Sequence, residues 1–591
     1  MMKESSNQEG LFLVMISCDV LVVGGGAGGT AAALRATAMG RSVILTEETR
    51  WLGGQLTSQG VSALDEHEHI ERFGGTAAYN QFRRSVRDHY RQHHGMTGNN
   101  PGNGWVSRLC YEPKVGVAVI DEMLRPAREA GLLTVLYETV PVSVERDGDL
   151  IRSVTVRKIG GAPSELEGDF IRIQANAVVD ATELGDLLPL ADIPYRTGME
   201  SFAETGEPSA PAVRNPEAVQ SFTFPFAVEY RPGESHVIPK PEGYEAFRDS
   251  QPFSFNGYKM FETGGPIGLP FWTYRRLVDA GALTGFPNDI AMINWPGNDY
   301  HGANLIDKAP AEQARVLDEA RRLSLSFLYW LQTEAPRDDG GQGYPELLLR
   351  PDVMGTDHGL SQYPYIRESR RLKAYETVRE QDIVVAWNSA SRARLRPDSA
   401  GLGLYIFVDV HRCCNSDLTP GNLQKMRPFQ IPVGALLSPT VKNLVAGNKN
   451  LGLTHITNGA FRLHPTEWNA GESAGALAAF AVAHSTTPSA IYHDRRQMRR
   501  YQKALVDHGI PLYWFIDVDQ ADPAFAAVQW LAAGGIITGD AADLLFRPDA
   551  PVAEADAAEW AKRAGAAGTQ PAPGETRAAY AIRLAARLTT A

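Results

Sequence analysis

Short apolar runs bounded by glycine alternate with small-residue stretches at the start of the chain. Cys18–Val23 is a compact apolar run ending in glycines, which predicts a buried parallel strand. Ala31–Met39 is alanine-rich and predicts a helix stopped by Gly40, and Ser42–Leu45 predicts a second strand ending at Glu47. This order is that of a βαβ unit. The preceding stretch Gly10–Ile16 is apolar but too short to span a bilayer and has no small-residue cleavage site. It is expected to be a frayed extension, with Met15 nearer the natural start. A looser section rich in His, Gly and Asn runs to about Trp105, and a helix is predicted over Lys114–Ala130.

From Thr134 to Ile173 apolar and polar positions alternate, with turns at Asp147-Gly148 and Gly160-Gly161, which predicts inserted antiparallel strands. Ala177–Val179 predicts another buried strand. Residues from about 195 to 400 are rich in proline and aromatics and predict a second domain. The first domain resumes with Asn443–Gly447 and a helix from about Pro465 to His484. Beyond Pro488 the chain is alanine-rich and predicted helical, with a linker at Gly565–Gly574.

A chain of 591 residues exceeds one simple core, so two or three domains are expected. With 43% apolar and 21% charged residues the composition is that of a soluble globular protein. The net charge of −12 argues against a nucleic-acid partner. Four cysteines make no disulfide framework, so a cytoplasmic location is expected. No run suggests a membrane span. A homo-oligomer stays open.

Gly24-Gly25-Gly26-Ala27-Gly28-Gly29 fits G-x-G-x-x-G, with the strand before and the helix after that the motif requires. Its glycines permit a tight turn and close approach of main-chain amides to a pyrophosphate, and the helix N-terminus adds positive charge. Glu47 follows Gly26 by 21 positions, right for a ribose hydroxyl and wrong for a 2′-phosphate. Trp51-Leu52-Gly53-Gly54-Gln55 comes next, and glycines there admit a large ring system beside the backbone. No second G-x-G-x-x-G follows a strand, which argues against a dedicated pyridine-nucleotide domain.

The glycine loop with Glu47, Leu52–Gln55, Asp180-Ala181-Thr182 and Asn443–Gly447 resemble the glutathione-reductase-type FAD flavoproteins. More closely, the chain resembles a bacterial FAD-dependent oxidoreductase family. Tyr365–Leu372, Gln430-Ile431-Pro432, Asn443–Gly447 and Arg462–Glu472 carry that likeness, over roughly residues 18–485. The resemblance implies FAD held by Gly24, Gly26, Ala27, Gly28, Gly29, Glu47, Glu48, Gly53, Gly54 and Gln55. It further implies Val140, with Asp180, Ala181 and Thr182 on the adenosine side and Gly447 and Asn448 by the ribityl–phosphate chain. Arg462, Glu467 and Asn469 complete the set, with the helix opening near Pro465 aimed at the flavin pyrimidine edge. The fold class expected is α/β. It comprises a Rossmann-type FAD domain with inserted antiparallel strands (18–195 and 400–485), a mixed α+β cap (196–399) and a helical C-terminal module (486–591).

Candidate catalytic groups are fewer. Arg367, Arg370 and Arg371 put three guanidinium groups within five positions, suited either to an anion or to Glu–Arg pairs on a solvated helix. His464 is the first choice of base because it opens the helix expected to face the flavin. His411, after the apolar run Leu404–Val410, is the second, and His455 competes with both. Cys413-Cys414 are expected to be inert thiols, because redox pairs are usually spaced C-x-x-C. The scattered histidines, including the His89/His93 pair, suggest no metal site. Asn294–Asp299 is an aromatic turn, either lining a pocket or packing a corner. Residues 515–560 resemble a single S-layer-homology-like unit, expected to pack on the rest of the chain or form an oligomer contact. The expected activity is hydride removal from a polar or anionic small molecule, with the flavin reoxidised by oxygen or another acceptor. A monooxygenase, a double-bond reductase and a flavin-containing scaffold protein are the alternatives.

Overall fold

The computed structural model describes residues 5–6, 12–161, 169–416 and 424–590. Its central sheet runs, in spatial order, Leu133–Leu136, Val43–Thr46, Phe12–Val23, Phe170–Asp180, Leu150–Lys158 and Thr139–Asp147. The late strand Leu444–Ala446 also pairs in parallel with Phe170–Asp180. Val20–Val23 are fully buried, as a strand covered on both faces requires. The α/β class expected from the pattern is the class observed.

Three strands differ from expectation. The first begins at Phe12, because Leu13–Ser17 pair with Phe170–Gln174 and so do not fray. The alternating run ending at Ile173 and the buried run Ala177–Val179 form one strand, Phe170–Asp180. Its first half also pairs antiparallel with Leu150–Lys158 and alternates in burial, while its last four residues are wholly covered. A third strand is displaced: Ser399–Gly403 pairs with Phe429–Pro432, ahead of the run Leu404–Val410.

Helix Ala27–Ala38 packs on helix His464–Ala483 with almost no side chain between them. A Cβ at Gly471 would strike the Gly28 carbonyl, and one at Gly475 the Ala32 carbonyl. The crossing is therefore set by glycine. Helix Ala77–His94 occupies the section expected to be loose.

The cap has its own antiparallel sheet, ordered Arg276–Val278, Ile290–Ile293, Phe226–Tyr230 and Leu347–Leu349. Helix Pro310–Thr333 buries Val316, Ala320, Leu323, Phe327 and Leu331 at three- and four-residue spacing in the cap's own apolar cluster. Trp295 packs edge-on against Phe271 there, so the Asn294–Asp299 turn is a packed corner at Trp295.

The C-terminal segment shares the main core. Tyr501, Leu505, Trp514, Phe515 and Leu531 belong to the same apolar cluster as the central sheet. Trp514 Nε1 donates to the Phe429 carbonyl at 2.9 Å, and the Tyr501 hydroxyl to the Ser473 carbonyl at 2.8 Å. Among the described residues no helix is long and apolar enough to cross a membrane.

Candidate active site

The carboxyl ends of the central strands open on a cleft. Gly24, Gly26, Glu47, Glu48, Gly54, Val140, Ala181 and Thr182 line it together. Gly24 has φ +96°, and a Cβ there would collide with the Ala181 carbonyl, so the turn demands glycine. Gly28 begins the helix so close to the Gly447 carbonyl that a Cβ would overlap it. The first-turn amides of helix Ala27–Ala38 therefore open onto a main-chain cradle.

Glu47 sits at the end of its strand, where Oε2 accepts from the Gly25 amide at 3.0 Å and Oε1 from the Thr49 amide at 2.7 Å. Burial pushes its carboxyl up to about 7 against those bonds. Asp180 accepts from the Thr182 hydroxyl at 2.7 Å and is likewise pushed up to about 7 by burial. Gln55 Nε2 bridges the Arg462 carbonyl at 2.9 Å and the Glu467 carboxylate. Glu467, raised to about 7 by burial against the pull of Lys449, lies 3.6 Å from the fully buried Lys449 Nζ, which also pairs with Glu183. Asn469 is different. Its side chain donates to the Leu402 carbonyl at 3.2 Å and supports the Ser399–Gly403 strand.

The residues present suit a flavin dinucleotide. The cradle takes main-chain contact only, the buried acid sits at the ribose position, and Gln55 Oε1, Gln59 Oε1 and Asn448 Oδ1 are buried with no hydrogen-bond partner.

A second group of polar side chains lies where the cap meets this domain. His411 Nδ1 is 3.0 Å from Asp299 Oδ2, and its Nε2 is 3.4 Å from Asp409 Oδ1. Arg367 Nη2 donates to Asp299 Oδ1 at 2.9 Å, and Arg462 Nη2 to Asp409 Oδ2 at 2.6 Å. Arg462 Nη1 also donates to the Tyr365 hydroxyl at 2.6 Å. Burial works to raise both aspartates, but the guanidinium groups and His411 outweigh it and hold both below the usual carboxylate range. Asp65 and Arg275, paired at 3.0 Å, extend the group.

The other expected catalytic residues are committed elsewhere. His464 Nδ1 accepts from the Asp65 amide at 3.0 Å, and Nε2 faces the Val61 carbonyl at 2.9 Å. Both nitrogens are held by main chain, and burial lowers the imidazole to about 4, so His464 has no site left for a substrate proton. The three arginines do not form one anchor. Arg370 pairs with Asp186 and Asp307 at 3.0 Å each, and Arg371 with Glu200 at 2.9 Å and with Glu368. Each guanidinium is matched by an internal carboxylate, and the segment is extended and buried where a solvated helix was one expectation.

Residues 19–505 match a family model described as FAD dependent oxidoreductase. The chain belongs to that family. FAD is accordingly its cofactor. A curated relative, the 4-oxocyclohex-2-ene-1-carboxylate 5-dehydrogenase of Sinomonas cyclohexanicum, is 41% identical over 69 residues, 10% of this chain and 12% of that protein. The chain thus spans only a small part of that relative's length. Among solved structures, a geranylgeranyl bacteriochlorophyll reductase-like protein from Thermoplasma acidophilum is similar at 11% identity and TM-score 0.30, over 93% of this chain and 97% of that one. A glycerol-3-phosphate dehydrogenase from Bacillus halodurans, complexed with FAD, is similar at 14% identity and TM-score 0.23, over 36% and 40%.

Several site residues of this FAD-dependent oxidoreductase escaped the sequence reading. Ser58, Gln59, Glu183 and Tyr363 line the cleft, yet none lies in a motif of fixed spacing. Asp299 and Asp409 had one available signal. Each lies inside a segment already singled out, the Asn294–Asp299 turn and the run Leu404–Val410 before His411.

Proposed function

We propose that this flavoprotein removes a hydride from a polar small organic molecule bound between the cap and the FAD domain, with His411 as the base. The observation that carries the reading is the Arg367–Asp299–His411 chain, with contacts of 2.9 and 3.0 Å. Bound FAD supplies the hydride acceptor. Asp299 takes the Nδ1 proton of His411 in a hydrogen bond, which fixes the tautomer and leaves Nε2 to accept a proton from the substrate O–H or C–H. Arg367 keeps Asp299 ionised and is a positioning residue. Asp409, 3.4 Å from Nε2, stabilises the imidazolium as it forms. The Tyr365 hydroxyl accepts from Arg462, so its own proton is available to a substrate oxygen. Arg367, Arg370, Arg371 and Arg462 are each matched by an internal carboxylate, which favours a polar substrate over an anion held by those four groups.

The test is anaerobic mixing of the holoenzyme with a panel of polar alcohols, amines and cyclic ketones, following loss of the yellow flavin absorbance. A substrate that bleaches the flavin without NAD(P)H is expected. His411→Gln is expected to slow that reduction by about 10²–10⁴-fold with FAD still bound. Bleaching by NADPH alone, with every organic compound inert, would favour a monooxygenase or reductase.

A further inference from the structure

Behind His411 lies a buried trio that this mechanism does not use. His455 opens the helix His455–Phe461, with its Nδ1 2.9 Å from Glu368 Oε2 and its Nε2 3.6 Å from Cys413 Sγ. Glu368 is fixed by Arg371 and by the Gln220 amide at 2.9 Å, and the His455 amide donates to Glu200 at 2.9 Å. A carboxylate on one side of an imidazole and a thiol on the other is the arrangement that draws the thiol proton onto nitrogen. Burial opposes a charged imidazole here, yet Glu368 and Cys413 raise His455 to about 10.

The other cysteines lack this setting. Burial pushes Cys18 and Cys110 up to about 12 and Cys414 to about 11. Cys18 and Cys414 face main-chain carbonyls and no imidazole, whereas Cys413 Sγ has the His455 imidazole beside it as well as the His411 carbonyl at 3.4 Å. Across from Cys413, Gln220 pairs with it in an isolated β-bridge, and the buried Gln220 Nε2 has no hydrogen-bond partner.

We propose that Cys413 is a peroxide-reactive thiolate, a modification site that hydrogen peroxide converts to a sulfenic acid. The thiolate sulfur attacks one peroxide oxygen, the S–O bond forms and the O–O bond breaks. Sulfur loses two electrons and the peroxide gains them. The departing hydroxide takes the His455 proton and leaves as water, so the products are Cys413 sulfenic acid, neutral His455 and water. Cys413 is 1% exposed, which restricts the reaction to a small oxidant. The inference does not depend on which substrate the flavin oxidises.

The experiment treats the FAD-loaded protein with hydrogen peroxide, removes the peroxide, unfolds the chain in denaturant containing dimedone, a trap for sulfenic acids, and compares the four cysteines by peptide mass spectrometry. Cys413 is expected to take the adduct on the order of tenfold faster than Cys18, although Cys18 is the more exposed thiol. His455→Gln is expected to erase that preference and leave Cys18 unchanged. Should that variant fail to fold, the ratio within the unaltered protein decides alone. Adduct appearing first on Cys18, or on no cysteine unless the peroxide is added after unfolding, overturns the proposal.

Discussion

His411 and His464 are both imidazoles near the cap–FAD boundary, and what faces their nitrogens separates them. His411 stands between two carboxylates and is partly exposed, whereas His464 is sealed between an amide and a carbonyl. For His411 the expectation is dependence on its partner. Asp299→Asn keeps the shape but removes the charge that fixes the tautomer, and should slow flavin reduction about 10²-fold or more with FAD content unchanged. A rate within twofold of the parent would remove the dyad from the mechanism. For His464 the consequence is stability. Its folded value of about 4 lies below an unfolded value of about 6.5. Between those values the unfolded chain binds the extra proton, so stability is complete above about pH 6.5 and is lost as pH falls toward 4. The loss is roughly 3 kcal/mol over that window. Denaturant titrations from pH 4 to 7 should show this slope in the parent and a shallower one in His464→Gln. Parallel curves would mean that the imidazole is not held neutral.

At the scale of elements, the crossing of Ala27–Ala38 over His464–Ala483 is the most exacting contact, since Gly471 meets the Gly28 main chain directly. Gly471→Ala should cost about 1–3 kcal/mol by overpacking. It should also loosen FAD, because the displaced helix carries the cradle; equilibrium unfolding and flavin fluorescence read the two effects separately. Much of this layer was legible: the βαβ unit, the inserted strands and the late return strand all follow from burial on one or both faces. Helix Ala77–His94 was not. Its buried stripe runs Ala78, Tyr79, Phe82, Arg83, Val86, Arg87 and Tyr90, so two arginines interrupt the apolar spacing. Arg83 sits there because Glu66 and Glu71 lie within ion-pair distance, and Arg87 because of Glu71. Such distant pairing leaves no periodic trace. The site divides the same way. The glycine cradle is local and visible in sequence, whereas Asp299, Asp409 and His411 converge from cap and base.

For the whole molecule, the question is whether the residues beyond the family match form a separate body. The match ends at 505, yet the next turns close on groups of the central core. The Leu512 carbonyl accepts from Gln430 Nε2 at 2.6 Å and from Ser399 Oγ at 2.9 Å, and Trp514 caps the Phe429 carbonyl. Removing residues 508–591 would take the partners of Gln430 Nε2 and of the Trp514-capped Phe429 carbonyl and leave Ser399 Oγ only the Gly401 carbonyl at 3.3 Å; a lost partner of this kind costs about 1–3 kcal/mol. It would also uncover the apolar surface under Trp514, whose ring lies 5.7 Å from Phe73 and 5.4 Å from His67. A total of several kcal/mol is a large fraction of the roughly 5–15 kcal/mol that holds a domain together. The truncated chain is therefore expected to be insoluble, or to melt far below the parent and lose its flavin. An S-layer-like unit serving only to bind a partner predicts the opposite: a truncated protein with the parent's melting temperature, full yellow colour and full turnover. Thermal melts followed by flavin fluorescence, on both chains at equal concentration, decide between a tail that completes the core and one that merely hangs from it.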